Sequence, residues 1–184
     1  MPKESDFTKE RINPLCQNPE LWSAEDYEAS ENEVADFLYG LVRLLKPGTI
    51  VETGCYKGNA TKAIANAVRE NGFGDFFSCD INGEYVGQVK DMLRLANLPG
   101  LITPVSGETL LKNLPSVDFA FIDSGGEDRE AEIELLLPLM KPYSIFCLHD
   151  TAPQHEKLAR LSEKIKLPKV YLNTPRGLTI FQKI

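Results

Sequence analysis

The stretch from Thr49 to Ala67, TIVETGCYKGNATKAIANA, constrains the fold more than any other part of the sequence. Two β-branched residues, Ile50 and Val51, precede an acid, a turn with Gly54 and Gly58, and an alanine-rich helical pattern. This order predicts a strand, a tight loop and a helix. Glycine accepts a positive φ and lets a ligand approach the backbone, while the first N–H groups of a helix attract anions. The loop therefore predicts a nucleotide-like ligand, although similar turns also occur in α/β proteins that bind nothing there.

Two well-known phosphate-binding patterns do not fit this loop. The dinucleotide pattern G-x-G-x-x-G needs a glycine at the position of Tyr56. The P-loop needs Lys and then Ser or Thr after its last glycine, but Gly58 is followed by Asn59 and Ala60. Both phosphate cradles are disfavoured, and an NAD-dependent enzyme is disfavoured with them.

Length, charge and hydropathy limit the function classes. With 184 residues, of which 42% are apolar, the chain is long enough for one domain with a substantial core. A net charge of -7 does not provide the clustered positive charge that binding to nucleic acid or to an anionic membrane requires. No apolar run approaches the roughly 20 residues of a membrane-spanning helix, and the N-terminus has no apolar signal core. We expect a cytoplasmic protein with a small-molecule partner, and the sequence leaves open whether it forms a homo-oligomer.

The chain alternates between strand and helix patterns. The sequence predicts an N-terminal arm over residues 1–24 and a single domain over residues 25–184. The domain is predicted to begin with a helix over residues 25–46. The alternation predicts a mostly parallel sheet with helices on both faces. The last two strands are separated by only Thr174, Pro175 and Arg176, so this pair is predicted to be antiparallel. The predicted fold is α/β, a Rossmann-like, doubly wound, seven-stranded, mostly parallel sheet with an antiparallel C-terminal strand. After the first strand, we predict strands over 75–80, 102–106, 117–123, 144–150, 169–173 and 177–183, and helices over 84–98, 107–114, 128–140 and 154–165.

Four acids stand where predicted strands end, namely Glu52, Asp80, Asp123 and Asp150. Open α/β sheets bind ligands in the crevice beyond the carboxyl ends of their strands. Asp80 follows Gly54 by 26 residues, and a carboxylate there can accept hydrogen bonds from two ribose hydroxyls. Glu52 could attract a cationic group of the ligand, or it could brace the loop from below.

An acid followed by Gly-x-x-x-Gly at the end of the first strand resembles the first motif of the class I S-adenosylmethionine-dependent methyltransferases. The resemblance runs from about Leu45 to the C-terminus and includes three further segments, ITPVSGETLLKNLP, VDFAFIDSGG and LLPLMKPYSIFCLHDT. These segments resemble the branch of the family that methylates oxygens of small molecules. The resemblance implies S-adenosylmethionine as cofactor and methyl transfer to an oxygen, less often a nitrogen, of a small acceptor. It places adenine contacts after the third strand, where Ser106 could instead simply cap a helix. The implied cofactor-binding residues are Glu52, Gly54, Tyr56, Gly58, Asp80, Ile81, Ser106, Gly107, Glu108 and Asp123.

The resemblance also raises the question of a metal. In metal-dependent members of this branch, an Asp after the fourth strand and an Asp-Asn pair after the fifth bind a divalent cation. Asp123 and Asp150 match two of these positions, but Thr151 replaces the Asn, and Gly126 stands where those members have a lysine. Hard cations prefer several oxygen ligands. A divalent metal is therefore conceivable but not favoured, and no metal ligands are assigned.

Catalysis of methyl transfer calls for help with deprotonating the acceptor. His149 lies at the predicted mouth of the crevice, and with a reference pKa near 6.5 it is a candidate general base. Asp150 is the other candidate. The alternative for His149 is a histidine that only hydrogen-bonds to a neighbouring turn.

The helix over 25–46 and the arm before it are predicted to form part of an acceptor lid, with Trp22, Tyr27 and Phe37, although these aromatics are equally expected from plain packing. A second function from another class remains open. The departures at Gly126 and Thr151 are compatible with a non-catalytic cofactor-binding or regulatory domain of the same fold.

Overall fold

The computed structural model describes residues 12–26 and 28–184. Its strands are β1 (Thr49–Thr53), β2 (Asp75–Cys79), β3 (Leu101–Thr103), β4 (Val117–Ile122), β5 (Met140–His149), β6 (Lys169–Leu172) and β7 (Leu178–Gln182). Its helices are α1 (Asn32–Leu45), α2 (Asn59–Asn71), α3 (Gly83–Leu95), α4 (Gly107–Lys112), α5 (Arg129–Leu139) and α6 (Glu156–Lys164). A short 3-10 turn at Pro19–Leu21 precedes α1. The predicted elements are all present, and apart from the start of α1 their ends differ from the predictions by only a few residues.

The seven strands form one sheet in the order β3-β2-β1-β4-β5-β7-β6. β1 pairs in parallel with β2 and with β4, while β2 pairs in parallel with β3 and β4 with β5. β7 is antiparallel to both of its neighbours, β5 and β6. The predicted fold class is confirmed. Strand order reverses between β1 and β4, so the crevice beyond the carboxyl ends of these strands is the expected ligand site.

Side chains that alternate along the strands supply both faces of the sheet. On β1, Ile50 packs with α1, α2 and α3, whereas Val51 packs with α4, α5 and α6. On β4, Phe119 and Phe121 lie on the first face, and Ala120 lies on the second. Strands buried on both faces read as continuous apolar runs, as the sequence of β4 does. The two layers of helices fix where each strand ends and where each loop begins.

The first helix differs from its prediction. α1 begins at Asn32 rather than at residue 25, because the preceding segment turns instead of winding into a helix. The Asp26 carboxylate accepts hydrogen bonds from the backbone N–H groups of Glu28 and Ala29, both at 3.0 Å, which is a local competitor of helical hydrogen bonding. The predictions for residues 1–11 of the arm, and for Tyr27 in the lid, lie outside the described residues.

Within residues 12–26 and 28–184, no helix combines the length and apolar character needed to span a bilayer.

Candidate functional site

A crevice opens at the carboxyl ends of β1, β2, β4 and β5. Its larger part is a pocket of about 360 Å³, within the range typical of small-molecule sites. A narrower slot continues from it past Ile81 toward α4. Four residues line both parts: Gly54, Asp80, Ser124 and Gly125. Because they share these four residues, the two parts form one crevice.

The structure distributes the predicted site residues unevenly around this crevice. Tyr56 and Asp123 line the larger pocket with Asp150, while Ser106 and Gly107 line the slot with Ile81. Four predicted residues line neither part: Glu52, Gly58, Glu108 and His149.

The glycine loop is built around positive φ angles. Gly54 has φ 84° and Gly58 has φ 92°, in the left-handed region that favours glycine. A Cβ on Gly54 would collide with the carbonyl oxygen of Asp123, and a Cβ on Gly58 would lie 3.0 Å from Val89 on α3. The sequence explained these glycines by close approach of a ligand. The structure gives a further reason, since the loop packs directly on its protein neighbours.

Asp80 is held in place by the backbone and still faces the crevice. Its Oδ2 accepts a hydrogen bond from the N–H of Tyr56, and its Oδ1 accepts one from the N–H of Asn82, both at 2.9 Å. Each carboxylate oxygen accepts more than one hydrogen bond. Asp80 is therefore oriented, with lone pairs available for a pair of hydroxyls.

Glu52 lies beneath the loop, out of contact with the crevice. It is fully buried, and its Oε2 accepts hydrogen bonds from the hydroxyls of Thr61 and Ser78, both at 2.6 Å. Burial raises the pKa of Glu52 to about 7, although these two hydrogen bonds oppose the shift. Its Oε1 has no hydrogen-bond partner among the described residues. These contacts match the bracing alternative, and any effect on a cationic ligand group would act without direct contact.

Six charged side chains from five segments meet at one end of the larger pocket. The members of this ion-pair cluster are Glu31, Asp123, Arg129, His149, Asp150 and Arg176. Parallel strands bring the residues after β4 and β5 together, α5 contributes its first residue, and the turn between β6 and β7 contributes Arg176. The remaining member, Glu31, comes from the N-cap of α1.

His149 lies at the centre of the cluster, with no solvent exposure. Its Nε2 is 2.7 Å from Oε2 of Glu31, and its Nδ1 is 2.9 Å from Oδ1 of Asp123. Burial alone would lower the pKa of His149, but the carboxylates of Asp123, Asp150 and Glu31 outweigh it and raise the pKa to about 10. His149 is thus an imidazolium that donates to two carboxylates, so neither nitrogen is free to take a proton from an acceptor.

Arg129 and Arg176 neutralise the rest of the cluster. Nη2 of Arg129 bonds to Oδ1 of Asp123 at 3.1 Å and to Oδ2 of Asp150 at 2.9 Å. Nε of Arg176 bonds to Oδ1 of Asp150 at 2.6 Å, and its backbone N–H donates to Oε1 of Glu31 at 2.9 Å. Burial would raise the pKa of Asp150, but His149 and the two guanidinium groups hold it well below its usual range.

The cluster does not fit a divalent cation. Donor atoms of Asp123, His149 and Asp150 lie within 4.8 Å of one another, a spacing that would suit an ion. However, Nη2 of Arg129 already bonds to both carboxylates, and Nδ1 of His149 points its proton at one of them. With His149 protonated, three carboxylates face three cations, so the charges balance without a metal.

Three members of the cluster were not found from the sequence. Arg176 carried a usable signal, because an antiparallel β7 beside β5 places the preceding turn at the carboxyl end of β5, where His149 pairs with Leu178. Arg129 carried a weaker signal, as the first residue of the helix that follows Asp123. Glu31 carried none, since nothing in its neighbourhood links it to a strand end more than 100 positions away.

The segment before α1 closes over the larger pocket. Asp26 accepts a hydrogen bond from the Tyr56 hydroxyl at 3.1 Å and forms an ion pair with Lys57 of the glycine loop. Nδ2 of Asn59 donates to the carbonyl of Ser30 at 2.9 Å. These contacts hold Asp26 and Ser30 against the glycine loop and the start of α2, and an acceptor lid at this place stays a prediction. Trp22 and Phe37, in contrast, pack against the core.

Alkaline pH should weaken the fold through His149. A histidine has a pKa near 6.5 in an unfolded chain, whereas His149 has a pKa of about 10 in the folded protein. The stability that protonated His149 contributes is fully present below pH 6.5 and is lost as pH rises toward 10. The reason is that the unfolded chain releases the proton at a lower pH than the folded protein does. We expect His149 to lower the free energy of unfolding by about 1 kcal/mol per pH unit between pH 7 and 8.5, measured by urea denaturation.

Other buried groups also titrate in this pH window. Glu52, whose pKa is raised to about 7, adds to the slope near pH 7, and the thiols of Cys55, Cys79 and Cys147, whose pKa values burial raises, add to it as pH approaches 8.5. The matched variant His149→Asn keeps these groups, so it should be less stable at pH 7 and its slope should be shallower than the parent's by about 1 kcal/mol per pH unit. A parent protein with the same slope as the variant would contradict the assigned imidazolium.

The chain belongs to the methyltransferase domain family, because the family model described as a methyltransferase domain matches residues 51–151, more than half of the chain. The matched region runs from β1 to the residue after Asp150. It contains the glycine loop, Asp80 and Asp123. No curated protein sequence is similar enough to this chain to count as a match.

Solved structures share the fold. A methyltransferase of Podospora anserina, PaMTH1, determined with SAH, is 16% identical, covers 85% of this chain and 80% of its own, and superposes with a TM-score of 0.72. An O-methyltransferase of Bacillus cereus in complex with SAH is 17% identical over 83% of this chain and 81% of that one, with a TM-score of 0.71. TomG, an O-methyltransferase of Streptomyces achromogenes in complex with SAM, is 13% identical over 83% and 80%, with a TM-score of 0.69. At these identities the likeness shows a shared fold.

Proposed function

We propose that this protein transfers a methyl group from S-adenosylmethionine to an oxygen, less often a nitrogen, of a small-molecule acceptor. The observation that carries the proposal is the continuous crevice at the carboxyl ends of β1, β2 and β4, which ends at the ion-pair cluster. Membership of the methyltransferase domain family supports it. Structures of the same fold that were determined with SAH or SAM support the choice of cofactor.

The crevice offers a place for each part of the cofactor. The methionine portion would lie in the larger pocket against Gly54 and Tyr56, and the ribose would lie over Asp80. The base would enter the slot beside Ile81 and Ser106. This placement leaves the end of the larger pocket, next to Asp123 and Asp150, for the acceptor.

Replacing Asp80 with alanine should weaken the binding of S-adenosylhomocysteine by about 1.5–3 kcal/mol, the range for hydrogen bonds to a charged group. Calorimetric titration measures the effect. Asp91→Ala is the matched control, since Asp91 is an exposed acid on α3 that pairs only with the neighbouring Arg94 among described residues. A folded Asp80→Ala protein that binds within twofold of the parent would remove the ribose from this position.

Cofactor bound in this crevice would supply a methyl group on a sulfonium, which is already an excellent leaving group. The protein must then align the acceptor oxygen, exclude water and receive a proton. Oδ1 of Asp123 is engaged by His149 and Arg129, but Oδ2 accepts no hydrogen bond from the described residues, and Asp123 lines the pocket. Oδ2 of Asp123 therefore holds the acceptor hydroxyl and receives its proton as the new O–C bond forms.

This assignment changes the roles predicted for His149 and Asp150. An oxygen that has just gained a methyl group while keeping its proton is far more acidic than a carboxylic acid, so a carboxylate is a sufficient acceptor. His149, as an imidazolium, acts as a positioning residue that fixes Asp123. Asp150, clamped between two arginines, orients the guanidinium groups around the acceptor. Asp26 and residues 28–30 serve as the acceptor lid.

Methyl transfer should survive exhaustive chelation. The test incubates the protein with S-adenosylmethionine and a panel of small hydroxylated and amino acceptors, then compares EDTA-treated enzyme with enzyme resupplied with Mg²⁺, Mn²⁺ or Ca²⁺. We expect activity to change less than about twofold, because the carboxylates that would hold an ion are already paired with Arg129. Activity lost on chelation and restored by one ion would overturn the metal-independent mechanism. Cofactor binding without transfer to any acceptor in the panel would instead favour a cofactor-binding domain.

A further inference from the structure

A buried carboxyl group closes the slot of the crevice. Glu132, in the first turn of α5, has only 1% of its surface exposed, yet it lines the slot. Its Oε2 accepts hydrogen bonds from the hydroxyls of Thr53 and Ser124, both at 2.8 Å. These two bonds fix the carboxyl group at the junction of β1, β4 and α5. A buried carboxyl group costs stability unless it is fully bonded, so its presence in a pocket calls for a reason.

The second oxygen of Glu132 accepts no hydrogen bond from the described residues. It lies directly over Gly107, the first residue of α4, where a Cβ would collide with Oε1. Gly107 has an ordinary backbone conformation, so its lack of a side chain leaves space for the carboxyl group rather than permitting a turn. The glycine and the carboxyl group together shape the end of the slot.

The rest of the slot suits a flat apolar ring. Ile81 and Val105 supply aliphatic surface, and Ile81 is 78% exposed, so a bound ring would cover it. Asp80, over which the proposed ribose lies, also lines the slot. A ring that extends from this ribose would reach Ile81 and Val105 with its faces and Glu132 with its edge.

We propose that Glu132 selects the adenine base of the cofactor by accepting a hydrogen bond from its exocyclic amino group at Oε1. The inference rests on the proposed use of S-adenosylmethionine. A carboxylate accepts hydrogen bonds and does not donate them, so it favours a purine with an amino group at this edge over one with a carbonyl oxygen. Asp128 also lines the slot, but it is exposed at its mouth and does not have the fixed position that Glu132 owes to two hydroxyls.

The test compares two ligands by calorimetric titration, S-adenosylhomocysteine and S-inosylhomocysteine, in which a 6-oxo group replaces the amino group. The parent protein should bind the adenine ligand at least about tenfold more tightly, because the oxo group would leave a buried carboxylate facing another acceptor. Glu132→Gln should lower this ratio below about threefold, since the amide can donate to the oxo group. Glu130→Gln, an exposed acid on the same helix that lines neither part of the crevice, should keep the parent ratio.

Each result decides the inference. If the parent protein binds the two ligands with nearly equal affinity, the proposed role of Glu132 is overturned without any variant. A folded Glu132→Gln protein that keeps the parent's ratio of affinities also overturns it. Ser124→Ala is a milder variant that removes one hydroxyl from Oε2, and it should lower the ratio by about threefold. An unchanged ratio there would also overturn the role of Glu132. A parent that binds neither ligand overturns the proposed function together with this inference, whereas binding without discrimination overturns only the inference.

Discussion

Replacing Arg129 with alanine should destabilise the protein by about 3–5 kcal/mol, the cost of removing one partner from buried ion pairs. The guanidinium bonds to Asp123 and Asp150, and also to the backbone carbonyls of Ser124 and His149, both at 2.7 Å. Its removal leaves two carboxylates undercompensated and two carbonyls without this donor. Urea denaturation at pH 7 measures the loss.

The control is Arg160→Ala, because Arg160 is exposed and pairs with Glu156 one turn away on α6. That change should stay within about 0.5 kcal/mol. The Arg129 variant should also gain thermal stability when Mn²⁺ is added, while the parent should not, since removing the guanidinium frees the carboxylates for a cation. An Arg129→Ala protein as stable as the parent would show that the cluster is not held together by its charges.

Replacing Gly54 with valine should abolish binding of S-adenosylhomocysteine. The residue has φ 84°, which a β-branched side chain strongly resists, and any Cβ there would collide with the backbone of Asp123 and Ser124. Strain and overpacking together predict a loss of about 2–5 kcal/mol in stability. The loop would have to move away from β4, which separates the two walls of the crevice.

Binding and folding are measured separately in this test, by calorimetry and by circular dichroism. Gly87→Ala is the matched control, since a Cβ at this position of α3 meets nothing within 4 Å. It should bind normally and be as stable as the parent, because alanine favours a helix more than glycine does. A folded Gly54→Val protein with parental affinity would show that this loop does not cradle the cofactor.

The sequence was most informative where backbone rules determine the structure. Alternating strand and helix patterns predicted the sheet, and the short turn after β6 predicted the antiparallel pair. The rule that ligands bind beyond the carboxyl ends of parallel strands places Asp80, Asp123 and Asp150 at one crevice from the sequence alone. These inferences depend on periodicity and connection length, which are local properties of the chain.

The sequence was least informative where partners come from distant segments. His149 has the right residue type for a base, but its pKa depends on Glu31 and Asp123, and the contact with Glu31 has no local signature. Likewise, Arg129 could not be recognised as the partner of two carboxylates until α5 was placed beside β4 and β5. The sequence could therefore predict where the chemistry lies, but not the charge state of the groups that perform it.

The order in which the strands join the sheet has a consequence for the folding pathway. β7 lies between β5 and β6, and the turn that precedes it carries Arg176 to the cluster. The bond between Arg176 and Glu31 closes a loop of 145 positions, and the bond between His149 and Glu31 closes one of 118. Contacts of such high sequence separation are costly to nucleate, so they form after local helices and parallel pairs. The acceptor end of the crevice should be the last part of the molecule to form during refolding, and the first to open when β7 detaches.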